Sequence, residues 1–246
     1  MSRFYIPVAE WNLEHWGLEG AEAHHALDVL RLKVGAKVTL FNGEGEEALA
    51  EISGINKQRV ELRLLERARS EPFLCRITLA QAIPKGKTME WILEKATELG
   101  VAEIAPLLTE RTVIQLDARD AAKKREKWQG VVIEACKQCG QNWLPRVDLP
   151  QTPKGFFKAN QEFDLMLIAS LQPDAIPFKK VLAEFHSKSP ARVLILIGPE
   201  GDFTPAEIAL AQGQGCRPVT FGSIILRVET AAIYGLSVLS HELLKR

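Results

Sequence analysis

The pattern of apolar and polar positions along the chain changes near residue 70. Before that point, stretches such as "AKVTLF" and "RVELRLLERA" alternate apolar with polar positions, which is typical of strands that bury one face. The turn signal "NGEG" at 42–45 separates two such stretches, and a helix is indicated only around "GAEAHHALDVLRLK". Residues 1–70 are therefore predicted to form a small β-barrel or sandwich, with a domain boundary at "RARSEPF" (67–73).

Beyond this boundary, over residues 71–246, apolar strands alternate with amphipathic helices. The predicted strands are continuous apolar runs, typical of strands covered on both faces: "RITLAQAI", "VAEIAPLL", "DLMLIASL", "RVLILIG" and "PVTFG". Helices are predicted where apolar residues recur with helical periodicity, namely in "KTMEWILEKATELG" and at 119–139, 204–213 and 229–244. The alternation predicts an α/β domain with a parallel sheet and helices on both sides, which periodicity alone would make an unknotted, doubly wound sheet.

Two of these helices carry further signals. Thr204-Pro205-Ala206-Glu207 predicts a capping box, in which Thr204 caps the helix, Pro205 takes the first helical position and Glu207 reaches back. The final helix, 229–244, is apolar nearly all round and therefore requires a buried setting.

Three predicted strands end in loops of unusual composition: "ASLQPDA" (169–175), "IGPEGDFTPAE" (197–207) and "FGSIILRVET" (221–230). In open α/β sheets, ligands bind beyond the carboxyl ends of the strands, so these loops are candidate binding loops. Gly198 and Gly201 would let the backbone approach a ligand, and Pro199 would stiffen the turn. A plain strand-to-helix turn would explain the same residues.

Composition and motifs exclude several functional classes. The chain is 46% hydrophobic and 25% charged with a formal net charge of zero, and no run of about 18 apolar residues suggests a membrane span. The middle segment, 76–158, carries fourteen Lys/Arg and ten Asp/Glu, and this net charge of +4 would suit binding to phosphates. A solvated helix face is, however, the commoner reason for "KKREK" at 123–127. No glycine-rich dinucleotide fingerprint, P-loop or nucleophile elbow is present.

Cysteine and histidine positions give no metal signature. Cys136 and Cys139 form a C-x-x-C, but zinc would need two further ligands at suitable spacing. We therefore expect no metal, and ordinary thiols in a reducing cytoplasm. The first residues, "MSRFYIPVAEW", also lack the pattern of a signal peptide, which favours a cytoplasmic location.

Taken together, several segments resemble one known family. "LILIGPEGDFTPAEI" followed by "FGSIILRVETAAIYGLSVL" resembles the C-terminal signature of the SPOUT methyltransferases, and more narrowly the RsmE family, whose members methylate N3 of a uridine in 16S ribosomal RNA. "HHALDVLRLKVGAKVTLFNGEG" resembles that family's N-terminal PUA-like domain. "KGKTMEWILEKATELGVAEIAPLLTERT" and "EACKQCGQNWLPRV" resemble its middle motifs. The resemblance extends over nearly the whole chain.

The resemblance implies a SPOUT fold, in which the end of the chain threads through a loop to form a deep trefoil knot, and a PUA-like RNA-binding β-barrel before it. It also implies a homodimer, S-adenosylmethionine as methyl donor and 16S rRNA of the small ribosomal subunit as partner. Backbone and apolar groups of the three loops would then bind the cofactor through Leu171, Gly198, Pro199, Glu200, Gly201, Phe221, Gly222, Ile225, Leu226, Thr230 and Ala231.

The same resemblance gives Arg227 and Glu229 a candidate catalytic role. Uracil N3 must lose its proton to become a nucleophile, and a guanidinium would stabilise the negative charge that develops on N3 and the flanking carbonyl oxygens. A carboxylate would take the proton or orient the arginine. The structural alternative is that Glu229 favours the helix N-terminus and pairs with Arg227.

RNA contacts are expected from Arg3, His25, Arg31, Lys33 and Arg146, although the residues of the first domain could equally be ordinary surface charge. The chain departs from the family pattern at two positions: Asp202 stands where a second glycine is usual, and Gln141 where an arginine is usual. Arg146 is a candidate to replace that arginine. Two other functions stay open, namely ribose 2′-O-methylation by another SPOUT activity and RNA binding without catalysis.

Overall fold

A computed structural model describes residues 1–11, 16–56, 59–159, 162–185 and 190–244. Its internal contacts divide the chain into two compact units. The first comprises Met1–Pro72 and Ile133–Leu144, and the second comprises Phe73–Val132 and Pro145–Arg246. Within the described residues, no helix has both the length and the apolar character needed to cross a membrane.

The first unit contains a five-stranded sheet in the order β1-β3-β4-β5-β2. The strands are β1 Arg3–Tyr5, β2 Gly17–Glu19, β3 Lys37–Phe41, β4 Glu46–Ile55 and β5 Arg59–Arg69. β1 runs parallel to β3, and the other pairs are antiparallel. All five strands contribute side chains to one apolar core, and two register shifts between β4 and β5 bend the sheet around that core.

The predicted helix of this unit is present but shorter than its pattern suggests. Helix α1, Gly20–His24, continues as one π-helical turn over His25–Val29. Arg31 then adopts a left-handed backbone conformation, with φ of 54°, which ends the helical path.

Residues 141–144 are bound tightly within the first unit, although they lie far along the chain. Asn142 accepts a hydrogen bond from the Gly45 N–H at 3.0 Å, and the Leu144 N–H donates to the Gly43 carbonyl at 2.9 Å. The Trp143 ring nitrogen donates to the Ser70 carbonyl at 3.1 Å. These contacts bind the segment as an added edge to the turn between β3 and β4.

The second unit is built on a seven-stranded sheet in the order β10-β12-β9-β11-β6-β7-β8, in which every neighbouring pair is parallel. The strands are β6 Arg76–Ala82, β7 Glu103–Leu107, β8 Arg146–Val147, β9 Leu165–Ala169, β10 Ile176–Pro177, β11 Arg192–Ile197 and β12 Arg217–Thr220. The helices are α2 Thr88–Glu98, α3 Ala118–Cys139, α4 Pro153–Lys158, α5 Phe178–Ala183, α6 Pro205–Gly213 and α7 Val228–Leu243. The predicted parallel α/β sheet is confirmed.

Successive side chains of β11 show how helices cover both faces of this sheet. Leu194 and Leu196 pack into a cluster with Phe156 of α4 and Ile208 of α6. Ile195, one residue out of phase, faces α7. Because adjacent side chains of a strand point to opposite faces, α4 and α6 lie on one side of the sheet and α7 on the other.

Helix α7 returns from the end of β12 to pack against β11 and α2. One side of it is buried through Val228, Ala232, Gly235, Leu236, Leu239 and Leu243. Its opposite side is only partly covered, and Tyr234 is 44% exposed. The trefoil knot that the resemblance implies for this part of the chain remains a prediction.

We predict that Gly235→Ala destabilises the protein although alanine favours helices. A Cβ at Gly235 would lie 2.8 Å from Ile195 Cδ1 and 3.1 Å from Phe221 Cζ, and Ile195 is fully buried. Overpacking of this kind costs about 1–3 kcal/mol, more than the gain of about 1 kcal/mol in helix propensity. Gly130→Ala on α3, where nothing lies within 4 Å of the added Cβ, is the control and should be neutral or stabilising. Urea denaturation of both variants measures the difference, and equal stabilisation would contradict the packing of α7 on β11.

Candidate active site

A cavity of 540 Å³ lies in the second unit beyond the carboxyl ends of β6, β9, β11 and β12. Four loops line it, through residues 85 and 88, 169–171, 197–200 with 202, and 219–222 with 224–229 and 231. Three of these loops are the ones singled out in the sequence. Parallel strands end on the same edge of a sheet, which explains why loops distant in the chain meet around one cavity.

Most of the residues expected to bind cofactor line this cavity. Those that do are Leu171, Gly198, Pro199, Glu200, Phe221, Gly222, Ile225, Leu226 and Ala231. Gly201 and Thr230 do not line it, although their neighbours in the sequence do. Arg227 and Glu229 also lie in the wall.

The loop after β11 forms a tight turn. The Asp202 N–H donates to the Pro199 carbonyl at 2.9 Å. Asp202 has a left-handed backbone with φ of 63°, and its Oδ1 accepts a hydrogen bond from the Phe203 N–H at 2.8 Å. Glycine is the usual residue in this conformation, and aspartate is one of the few others that tolerate it, so Asp202 fits a position where the family usually has glycine.

The helix that follows starts as its sequence predicts. The Thr204 hydroxyl accepts a hydrogen bond from the Glu207 N–H at 3.3 Å, and Glu207 Oε2 accepts one from the Thr204 N–H at 2.9 Å. This reciprocal arrangement is the capping box, with Pro205 in the first turn. The prediction for the start of α6 is confirmed.

Sequence reasoning missed the loop between β6 and α2. Lys85 and Thr88 line the cavity, and the Lys85 N–H donates to Glu200 Oε1 at 2.9 Å, which ties this loop to the one after β11. This loop could have been identified from the sequence, because it follows a predicted buried strand. Ligands bind beyond the carboxyl ends of such strands in open α/β sheets.

Large apolar side chains lie open in the cavity wall. Leu171 is 58% exposed and Ile225 76% exposed, and Ile224 beside it is similarly open. Phe221 packs against two aromatic side chains. The centroid of its ring lies 5.4 Å from that of Phe178 and 5.3 Å from that of Tyr234. Exposed apolar groups around a cavity with a few polar groups fit a ligand that carries a flat, largely apolar ring.

Arg227 and Glu229 stand at the start of α7. Arg227 occupies the N-cap position without a side-chain capping bond, and Glu229 lies in the first turn. Among the described residues, neither side chain has a hydrogen-bond or ion-pair partner, so the two do not pair with each other. Two opposite charges in one cavity wall are therefore available to a bound substrate.

The candidate RNA-binding residues have different surroundings. Arg3 is only 14% exposed, and its guanidinium donates to Glu47 at 3.2 Å and to Asn142 at 2.6 Å. The His25 ring contacts Phe4 edge-on, at 6.1 Å between ring centroids. Arg31 and Lys33 are exposed. Arg31 and Lys33 are thus the two candidates of the first unit that present their charges to solvent.

Arg146 belongs to the second unit and has two acidic neighbours. Its guanidinium lies 2.8 Å from Glu103 and 3.4 Å from Asp148. Burial, followed by the charge of Glu103, raises the pKa of Asp148 to about 6, while Arg146 acts in the opposite direction. The guanidinium is therefore largely compensated within the protein. Gln141, where the family usually has arginine, is buried, and its Oε1 accepts a hydrogen bond from the Trp143 N–H at 3.4 Å.

Family models and curated relatives agree on what this chain is similar to. An RNA methyltransferase domain matches residues 70–240, and an RNA methyltransferase PUA domain matches residues 18–65. The ribosomal RNA small subunit methyltransferase E of Bacillus subtilis is 31% identical over 98% of this chain and 97% of its own length. The chain belongs to the RsmE family of RNA methyltransferases. The protein of the same name from Synechocystis sp. is 34% identical over 89% of this chain and 71% of its own.

Two solved structures with bound S-adenosylmethionine extend the similarity to the fold and the cofactor. A putative methyltransferase from Legionella pneumophila, solved with bound S-adenosylmethionine, has a TM-score of 0.88 and 36% identity, and the match covers 97% of this chain and 96% of that one. The ribosomal RNA small subunit methyltransferase E of Neisseria gonorrhoeae, also bound to S-adenosylmethionine, has a TM-score of 0.84 and 31% identity over 98% and 97%. The SPOUT-type α/β fold with an N-terminal PUA domain is confirmed, and S-adenosylmethionine is the cofactor.

The described residues of this RsmE-family chain include no cluster of three or more His, Cys, Asp and Glu side chains that could hold a metal ion. The cavity itself fits S-adenosylmethionine, since it offers open apolar side chains for the adenine and carboxylates for the cationic groups.

The acidic pair beside Arg146 predicts a dependence of stability on pH. Because the folded state raises the pKa of Asp148 to about 6 from an ordinary 3.8, the folded protein holds this proton more tightly. The contribution of Asp148 to the free energy of unfolding is therefore fully present below its ordinary pKa and is lost as the pH rises through about 6. Asp148→Asn should remove this loss. Relative to wild type, its free energy of unfolding should be higher at pH 7.5 than at pH 4 by about 1 kcal/mol, after allowance for solvent screening.

Denaturation midpoints measured from pH 4 to pH 8 test this expectation. Asp174→Asn, the same change at an exposed carboxylate, is the matched control and should follow the wild-type profile. An Asp148→Asn profile parallel to that of the wild type would contradict it.

Proposed function

We propose that this protein transfers a methyl group from S-adenosylmethionine to N3 of a specific uridine in 16S rRNA. One observation carries the proposal: in an RsmE-family chain, the unpaired Arg227 and Glu229 lie in the wall of the cavity formed by the expected cofactor loops. The activity is that of an S-adenosylmethionine-dependent rRNA (uracil-N3)-methyltransferase.

The loops after β9, β11 and β12, which line this cavity, would hold the cofactor. Gly222, with φ of 133° and open space where a side chain would be, lets the β12 loop approach the ligand closely. Leu171, Ile225 and the neighbouring apolar groups cover the adenine, and backbone groups of the loops bind its polar edge. When bound, S-adenosylmethionine would supply an electrophilic methyl group on its sulfonium, and S-adenosylhomocysteine would leave.

Arg227 and Glu229 act on the uracil. The N3 proton leaves toward Glu229, whose carboxylate serves as the base. The Arg227 guanidinium stabilises the negative charge on N3 and on the carbonyl oxygens beside it. The residues of the cavity wall would orient the uracil for attack, which removes much of the entropic barrier. No step requires a metal.

RNA binding falls to the first unit, where Arg31 and Lys33 contact phosphates. The uridine is extruded into the cavity of the second unit, since a base inside a duplex cannot reach a methyl donor held in a pocket.

A second copy of this chain completes the functional protein as a homodimer. Trp91 of α2 and Tyr234 of α7 are close to half exposed, on two helices that pack against each other. These apolar side chains support an interface with another copy. The cellular substrate is the small ribosomal subunit, which places the protein in the cytoplasm.

The identity of the methylated nucleoside decides the reaction. We expect 3-methyluridine when small subunits from a strain lacking this gene are treated with the protein and S-adenosylmethionine, digested and analysed by mass spectrometry. A ribose 2′-O-methylated nucleoside would replace this proposal with the other SPOUT activity. Binding of RNA without any methylated nucleoside would make the protein a non-catalytic RNA-binding protein.

Variants of the two charged residues test the mechanism. Arg227→Ala should lower the single-turnover rate about 10²–10³-fold, because the developing charge loses its stabilising partner. Glu229→Gln should lower it about 10²-fold or more, because the amide cannot accept the proton. Both should retain S-adenosylmethionine binding by calorimetry. Glu242→Gln, the same change at the exposed end of α7, is the control for Glu229. Rates close to wild type in the first two variants would remove both residues from the mechanism.

A further inference from the structure

The connection between β7 and α3 supports the cofactor loop from outside the cavity. Thr109 and Thr112 close a turn in this connection, with their hydroxyl oxygens 2.8 Å apart and the Thr112 N–H donating to the Thr109 carbonyl at 3.0 Å. Thr109 is buried, which anchors the turn in the protein. The turn presents Glu110 and Arg111 to the loop after β11.

Arg111 contacts that loop in two ways. Its Nη1 donates a hydrogen bond to the Gly201 carbonyl oxygen. Its side-chain stem also packs on Gly201, because a Cβ at this glycine would lie 3.2 Å from Arg111 Cδ. The close approach of Arg111 therefore explains why residue 201 is glycine. This contact lies outside the cavity.

A second hydrogen bond joins the same two segments. The Glu110 N–H donates to Glu207 Oε1 at 2.9 Å, while Glu207 Oε2 accepts from the Thr204 N–H in the capping box of α6. One carboxylate thus fixes the start of α6 and binds it to the turn. The loop after β11 is consequently attached at its middle through Gly201 and at its end through Glu207.

The attachment at Gly201 bears directly on the cavity. Glu200 and Asp202, the residues on either side, line the cavity, whereas Gly201 does not. Residues 198–203 are outside any helix or strand, so their positions depend on such individual bonds. A loop held in its binding conformation before the ligand arrives loses less conformational entropy on binding.

We propose that Arg111 is a positioning residue for S-adenosylmethionine, which acts through the Gly201 carbonyl without touching the cofactor. The proposal rests on the proposed location of the cofactor against the β11 loop. It assigns Arg111 to cofactor affinity rather than to the methyl-transfer step.

Three variants separate this role from a general effect of charge. Arg111→Ala should weaken S-adenosylmethionine binding about 10-fold in calorimetry, the loss expected for one hydrogen bond to a charged donor. Arg111→Lys, which keeps a charged donor and most of the stem, should recover most of the affinity. Arg119→Ala, the same charge change at an exposed arginine near the start of α3, should bind as the wild type does.

Kinetics give a readout that a merely structural role would not produce. In Arg111→Ala, the KM for S-adenosylmethionine should rise about 10-fold, while kcat at saturating cofactor stays within about threefold of wild type. Gly201→Ala alone should weaken S-adenosylmethionine binding, because the added Cβ meets the Arg111 side chain. In the double variant with Arg111→Ala, where that side chain is absent, it should lower the affinity little further.

The proposal is overturned if Arg111→Ala binds S-adenosylmethionine within twofold of wild type, or if its kcat falls as far as its kcat/KM. It is also overturned if Arg119→Ala causes the same loss. Calorimetry needs no RNA, so these outcomes are independent of the nucleoside that is methylated. A loss of affinity together with a product other than 3-methyluridine would leave the role of Arg111 standing and remove the proposed reaction.

Discussion

The structure depends on one constraint: neighbouring parallel strands end on the same edge of their sheet. β6, β11, β9 and β12 are consecutive in the second sheet, and each delivers its following loop to that edge. Buried apolar side chains on both faces of β11 hold this arrangement, through α4 and α6 on one side and α7 on the other. Loops that are separated by up to about 140 positions in the chain thereby share one cavity. A shift of a single strand would move one wall of the cavity and leave the others in place.

The loops that reach this edge have little regular structure, so bonds between loops replace it. Glu200 accepts the N–H of Lys85, and Arg111 donates to Gly201, so the β11 loop is held from two directions. Asp202 adds a left-handed turn that few side chains tolerate. Such positions cost folding free energy, and they persist because the surrounding contacts determine them. This is the pattern expected of a preorganised binding site, in which the protein has met the ordering cost before the ligand binds.

Local patterns in the sequence predicted much of this architecture, because neighbouring residues determine both a capping box and a strand that is buried on both faces. The five main strands, the start of α6 and three of the four cavity loops follow from such patterns. The two-residue strands β8 and β10 are too short to have a period, and α4 and α5 span fewer than two helical turns. Contacts between distant segments were not predictable either. Arg3 reads as a free surface cation, yet it is bonded to Asn142, 139 positions away, and the end of α3 packs with the first unit.

Ion pairing distinguishes several arginines of the chain from the charged residues of the cavity wall. Arg3, Arg146 and Arg217 each have a carboxylate partner within hydrogen-bond reach, so an acidic neighbour offsets each of these charges. Arg227 and Glu229 lie two residues apart in one cavity wall and have no partner among the described residues. Side chains two residues apart at a helix start do not face each other, so no ion pair between these two is expected. Both charges therefore remain available to a ligand in the cavity, and the uracil of the proposed reaction would offer an acidic proton for the carboxylate and a developing negative charge for the guanidinium.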